Sequence, residues 1–330
     1  MKNFAYIRAT SVQEAVQQAS TQPSTMFIAG GTNLVDRMKA FLDQPDRLID
    51  ITRLDMTRIE SGREGIRIGA LVSNTAVADH AEIRRNYPML SRAILLGASQ
   101  QIRNVATVGG NLLQRTRCPY YYDPAFACNK RNPGSGCAAL TGINRMHAIF
   151  GASDQCIAVH PSDMCVPLAA LDAIVEVAGS QGTRQIPFTE FHRLPGDTPQ
   201  RDSNLQPGEL ITAIVLPPLP WAQSSVYLKL RDRASYAFAL ISVAAAMQVT
   251  GDRIQAVRLA MGGVAHKPWR LTVAEQFLIG KPVQPEILQQ AAELAMQSAS
   301  PLPDNRFKVE LSQRAIRRAL TIAANGGGVA

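Results

Sequence analysis

Five cysteines lie between Cys118 and Cys165, and no other part of the chain holds one. In a reducing compartment, clustered thiols point to metal or redox chemistry rather than to disulfides. Counted from Cys118 the spacing is C-x9-C-x8-C-x18-C-x8-C. It lacks the short C-x2–4-C knuckle that pre-arranges two ligands on one turn for structural zinc. A 4Fe–4S cluster needs four thiolates and tolerates long loops between them, because the cluster itself organises the loop. Arg115, Arg117, Lys130, Arg131, Arg145, His147 and His160 are interspersed with the cysteines. Their positive charge would favour thiolates and offset an anionic cluster. On spacing alone the alternative is buried free cysteine, which packs as a small apolar residue.

A second chemistry is written in glycine. Gly30-Gly31-Thr32-Asn33 follows the apolar run Met26-Phe27-Ile28-Ala29 and precedes a helix-like stretch from Leu34. Glycine lets the backbone approach a pyrophosphate closely, and a helix start supplies free N–H groups and partial positive charge. Thr32 and Asn33 can cap that helix and also donate to phosphate oxygens. After Thr107, Gly109-Gly110-Asn111 offers the same donors. Either pair alone is also compatible with a simple tight turn. The chain has neither G-x-G-x-x-G nor G-x-x-x-x-G-K-[ST], which disfavours a Rossmann dinucleotide fold and a P-loop nucleotidase.

The elements that must position these loops begin as strand, helix, strand, helix, strand over residues 4–51, a small parallel α/β unit. Ser11 and Glu14 have capping-box spacing for its first helix. A second α/β region follows, with a strand at 66–70, a helix capped by Ser73, Asn74 and Thr75, and another helix at 87–98. Residues from about 115 to 160 break the order and show little apolar periodicity. A long structureless loop inside a compact domain is unusual unless it is functional. Strands resume at 173–178, 183–186 and 210–216, and Pro217-Pro218-Leu219-Pro220 marks a boundary. Strands at 225–230, 239–249 and 253–261 and helices at 272–278, 286–298 and 309–323 complete the reading.

The 330 residues suggest about two domains. Hydrophobic residues at 46% and charged ones at 18% describe a globular protein. The net charge of +8 is scattered, and with 6% aromatics no stacking platform for nucleic acid emerges. The charge reads instead as matching an anionic cofactor and partner contacts. The first eight residues carry no apolar h-region and no twin arginine, so no signal peptide is expected. The longest uncharged stretch, residues 234–251, is interrupted by Ser, Gln and Thr and falls short of the ~20 apolar residues of a membrane span. Folding in the cytoplasm is the expectation.

Together, Ile28-Ala29-Gly30-Gly31-Thr32-Asn33-Leu34 and Ala106-Thr107-Val108-Gly109-Gly110-Asn111-Leu112 resemble the paired FAD loops in the flavin subunits of the xanthine dehydrogenase and molybdenum hydroxylase family. The resemblance runs nearly end to end. Ser162-Asp163 is similar to the family segment whose aspartate holds the adenosine ribose. Leu205-Gln206-Pro207-Gly208-Glu209-Leu210-Ile211 resembles the segment that closes over the flavin, and Lys229 falls where the family places a lysine near the isoalloxazine. Gly262-Gly263-Val264-Ala265, then Lys267-Pro268 and Glu275, resemble the signature of the family's C-terminal domain.

The resemblance implies an α+β fold. A PCMH-type, vanillyl-alcohol-oxidase-like FAD-binding domain of two subdomains would span 1–55 and 56–220, with a cysteine-rich insertion at about 115–160. A small α+β domain would follow at 221–330. The implied FAD ligands are Ile28, Ala29, Gly30, Gly31, Thr32, Asn33, Leu34, Thr107, Gly110, Asn111, Ser162, Asp163, Leu210 and Lys229. The insertion resembles the 4Fe–4S loop of flavin subunits of the 4-hydroxybenzoyl-CoA reductase and bacterial aldehyde oxidoreductase types. Because Cys165 stands where an apolar run resumes, Cys118, Cys128, Cys137 and Cys156 are the ligands to expect. The implied function is electron transfer from partner 2Fe–2S clusters through FAD to an external acceptor, for an aldehyde oxidoreductase. The implied partners are a molybdenum-cofactor large subunit and a 2Fe–2S small subunit. Export to the periplasm would depend on a partner's twin-arginine signal. The rival readings are a free-standing FAD reductase of this fold and a non-enzymatic iron–sulfur scaffold.

Overall fold

The computed structural model describes residues 1–328. Strands β1 (Ala5–Arg8), β2 (Thr25–Ile28) and β3 (Arg47–Asp50) form a parallel sheet in the order β1-β3-β2. The connecting helix Val12–Ser20 starts as its sequence dictates, with Ser11 Oγ accepting the Glu14 N–H at 3.1 Å. Glu14, however, reaches back to the N–H and hydroxyl of Thr10 rather than to Ser11. The expected capping box is therefore displaced by one residue.

A second sheet, β4 (Ile59–Gly62), β5 (Gly65–Gly69), β6 (Ile174–Gly179), β7 (Gly182–Pro187) and β8 (Leu210–Leu216), runs β4-β5-β8-β6-β7 and is antiparallel throughout. Strand β4 has no counterpart in the sequence reading. Its Ile-Glu-Ser-Gly is largely exposed and offers one apolar residue, too little for an alternation signal.

The third sheet, β9 (Ser225–Leu230), β10 (Ile241–Thr250), β11 (Arg253–Gly262) and β12 (Trp269–Arg270), joins the two halves of the molecule. Residues 241–247 of β10 are all buried. Side chains alternate along a strand, and here both faces are covered. Ile241, Val243, Ala245 and Met247 face the helices Thr272–Leu278, Pro285–Ala295 and Phe307–Ala324. Ala244 and Ala246 face the core shared with helices Pro88–Leu96 and Cys165–Ala170. Small residues on that side let the second subdomain approach closely. No helix among the described residues is long and apolar enough to cross a membrane.

Residues 115–160 contain one short helix, Pro119–Tyr122, and otherwise irregular chain, as expected. The loop is tied down from the far end of the sequence. The buried Asn305 carboxamide donates to the carbonyls of Asn144, His147 and Ala148 at 3.2–3.3 Å. Lys308, fully buried, donates to the carbonyls of His147 and Gly263 at 2.9 and 2.8 Å. Among the described residues no carboxylate partners this amine, and burial, helped by the charge of Arg145, lowers it to about 7.

Lys308 fixes a sign. In the unfolded chain a lysine titrates near 10.4, so between pH 7 and pH 10 the unfolded state binds more protons than the folded one. Stability contributed by this residue must then rise with pH across that window. We expect the melting-temperature difference between the unaltered chain and Lys308→Met to shift in favour of lysine from pH 7 to pH 10. A scanning-calorimetry series showing a flat or opposite trend would contradict this.

A candidate dinucleotide cleft beside a cysteine cavity

Where the three sheets meet there is a cleft of about 820 Å³. Its floor is backbone. An added side chain at Gly30 would start 2.0 Å from the carbonyl oxygen of Val105, so the first glycine loop lies directly against the chain leading into the second. Gly31 turns with φ +69°, a conformation glycine adopts freely. Asn33 makes no cap bond to helix Leu34–Lys39, contrary to the sequence expectation. Its Oδ1 accepts the Arg115 N–H at 3.3 Å, and its buried Nδ2 has no partner. An orphaned buried amide donor lining a cleft is a ready contact for an anionic ligand.

The second loop divides its labour. Thr107 Oγ1 accepts the Gly110 N–H at 3.3 Å and so starts the short helix Val108–Leu112. Gly109 is buried, with Ala70 Cβ 3.1 Å from where its side chain would be, whereas a side chain on Gly110 would meet only Thr107 Oγ1 and otherwise enter the cleft. Asn111 Oδ1 accepts the Ser162 hydroxyl at 2.6 Å, which binds the second loop to segment 160–164. All fourteen residues expected at the cofactor line this one cleft.

Two of them occupy a single place. Lys229 Nζ donates to Asp163 Oδ2 at 2.7 Å, and Tyr227 OH donates to Oδ1 at 2.7 Å. Burial pushes Asp163 up against the pull of Lys229. The sequence reading placed Asp163 at the adenosine ribose and Lys229 at the isoalloxazine. The two side chains are thus joined before any cofactor is considered. Arg37, Arg103 and Arg233, not singled out from sequence, also line the cleft and make it cationic, together with Arg117, which the sequence had assigned to the cysteines. Each has a structural partner, such as Asp43 for Arg37 and Asp36 for Arg117.

Cys118, Cys128, Cys137 and Cys156 line a second, smaller cavity together with Lys130 and His147. Cys128 and Cys137 pair across an isolated antiparallel bridge flanked by Asn129 N–H to Gly136 O and Ala138 N–H to Ala127 O. That is a non-hydrogen-bonded pair, which places both side chains close together on one face. All five thiols are free. Burial pushes the Cys118 thiol up to about 12, outweighing the backbone N–H groups of Tyr121 and Tyr120, and the Cys156 thiol up to about 11, outweighing the nearby Lys130. Of the surrounding cations, Lys130 pulls Cys156 in the expected direction, though burial outweighs it. They are committed elsewhere: Lys130 and Arg115 to Asp202, Arg131 to the carbonyls of Tyr120, Tyr121 and Phe126, and Arg145 to Asp232.

Among the described residues, the three-donor group whose ligand atoms all lie within 4.8 Å is His160, Cys165 and His192, not any trio of these four thiols. Tetrahedral zinc at ~2.3 Å from sulfur requires thiols closer than that. Cys165 lies outside this cavity, fully buried in helix Cys165–Ala170, as its apolar neighbours implied.

Residues 2–219 match the FAD binding domain in molybdopterin dehydrogenase, and residues 226–323 match the CO dehydrogenase flavoprotein C-terminal domain. The chain is 50% identical to the aldehyde oxidoreductase FAD-binding subunit PaoB of Escherichia coli, covering 98% of this chain and 99% of that one. It belongs to the FAD-binding subunits of the molybdenum hydroxylase family. A glyceraldehyde dehydrogenase medium chain of Sulfolobus acidocaldarius is 29% identical, covering 92% of this chain and 90% of that one. The carbon monoxide dehydrogenase of Hydrogenophaga pseudoflava shares the fold, with TM-score 0.77 at 24% identity and 99% of each chain covered. As a family member the chain is an oxidoreductase subunit that binds FAD.

Gly110→Val places a branched side chain in the cleft, where the one part of the fold it meets is Thr107 Oγ1. We expect at least a tenfold loss of FAD per chain after acid release, with an unchanged far-UV dichroism spectrum. Full flavin content in that variant would remove the second loop from the site.

Proposed function

We propose that this chain is the FAD- and 4Fe–4S-carrying electron-transfer subunit of a heteromeric molybdenum-containing aldehyde oxidoreductase. The observation that carries the reading is the adjacency of two cavities, one lined by both glycine loops and the other by four cysteines, with Cys118 and His147 in the wall of each. The similarity to a subunit of an aldehyde oxidoreductase supports the substrate class. FAD, when bound, accepts and releases electrons singly or in pairs.

The chain's own residues hold and shield it. Gly110 and the orphaned Asn33 amide face the phosphates, the Asp163–Lys229 pair presents one fixed charge arrangement to the cofactor, and Leu210 closes the apolar side. Cys118, Cys128, Cys137 and Cys156 hold the cluster, supplying thiolates once metal displaces their protons. A molybdenum-cofactor large subunit oxidises the aldehyde, and a 2Fe–2S small subunit delivers the electrons. In the same reading the chain folds in the cytoplasm and reaches the periplasm with a partner that carries a twin-arginine signal.

Cys128→Ser or Cys137→Ser should remove about four irons per chain, the content of one 4Fe–4S cluster, whereas Cys165→Ala should keep them. Iron assay and low-temperature EPR read both outcomes, and unchanged iron in every single cysteine variant would sink the cluster assignment. Affinity purification of the tagged chain from its native host should bring down two different subunits, one containing molybdenum. Recovery of a stable monomer that turns over aldehyde alone would favour the free-standing reductase instead.

A further inference from the structure

His147 touches both cavities. Its Nε2 lies 3.2 Å from Cys118 Sγ, and both residues line the dinucleotide cleft as well as the cysteine cavity. The rest of His147 is firmly held. Its N–H donates to Asn144 O at 3.0 Å, and its carbonyl accepts from Lys308 Nζ at 2.9 Å and Asn305 Nδ2 at 3.3 Å. The ring is buried, and Nδ1 has no partner. A neutral imidazole carries one N–H and one bare nitrogen. With nothing near Nδ1 to accept a hydrogen, the proton belongs on Nε2, where it points at sulfur.

We propose that His147 donates a hydrogen bond from Nε2 to Cys118 Sγ and thereby raises the reduction potential of the cluster on its flavin-facing side. The inference rests on the cluster assignment made under the proposed function. A cluster that takes up one electron becomes more negative, and part of that charge resides on the ligating sulfurs. An N–H dipole aimed at such a sulfur stabilises the reduced form more than the oxidised one, which is one of the levers by which proteins set these potentials. Burial strengthens the effect, because little water competes for the sulfur. Cys118 is also the thiol shared with the dinucleotide cleft, so its charge is the part of the cluster that a flavin meets first. Cys156, by contrast, has only the Ala158 N–H at 3.5 Å.

The test is a dithionite titration of the intact complex followed by EPR, with His147→Leu and His147→Gln beside the unaltered chain. Leucine keeps the bulk and both backbone bonds but has no N–H, whereas glutamine retains a donor. We expect both variants to keep iron and FAD. At the potential that half-reduces the unaltered cluster, the reduced-to-oxidised ratio in His147→Leu should fall about tenfold, a downward shift of about 59 mV for one electron. His147→Gln should recover most of it. An unshifted potential in His147→Leu with iron retained overturns the proposal. Loss of iron from both variants overturns it too, since His147 would then be a prop for the loop. Iron absent from the unaltered complex would instead overturn the cluster assignment, and this inference with it.

Discussion

The carbonyl oxygen of Val105 stands where a side chain at position 30 would have to begin. The small parallel unit holding the first glycine loop and the larger antiparallel unit holding the second therefore meet backbone to backbone. Gly109, packed on Ala70, fixes the second loop to its own sheet in the same manner. Glycine at these positions leaves a floor of main chain, with no side chain in the way, that a phosphate can approach closely. The cationic walls, the Asp163–Lys229 pair and the mouth at Leu210 are arranged around that contact.

The cysteine loop obeys a different constraint. It has no apolar core of its own, and buried polar groups hold it in place. Burial pushes Asp202 up, but Lys130 and Arg115 outweigh this and hold it well below the usual carboxylate range. The same carboxylate stands 3.5 Å from His266 Nε2, so one acid from the 191–209 segment gathers three elements. Buried ion pairs of this kind cost desolvation and are retained where geometry matters more than net stability. Here the geometry is that of four thiols.

Much of this was legible in the sequence, and the pattern of what was not is physical. Glycine pairs between apolar runs, cysteine spacing and strand alternation are local signals, and both the loops and the cysteine cavity lie where those signals point. Strand β4 escaped because it buries almost nothing. The Asp163–Lys229 contact joins positions 66 apart and the Lys308–His147 contact joins positions 161 apart, with no periodicity to announce either. Lys130 pulls the Cys156 thiol the way its charge implies, but burial, which a sequence does not display, outweighs it there.

Asn305 and Lys308 reach back across about half the chain to fasten the exit of the cysteine loop. During synthesis the chain emerges from its N-terminus, so the loop is made long before the residues that fasten it. Both glycine loops and all five cysteines are already exposed while the last helix is still unwritten. The fastening is thus a step in time as well as in space. A chain truncated before residue 308 would leave the loop unlatched at its exit.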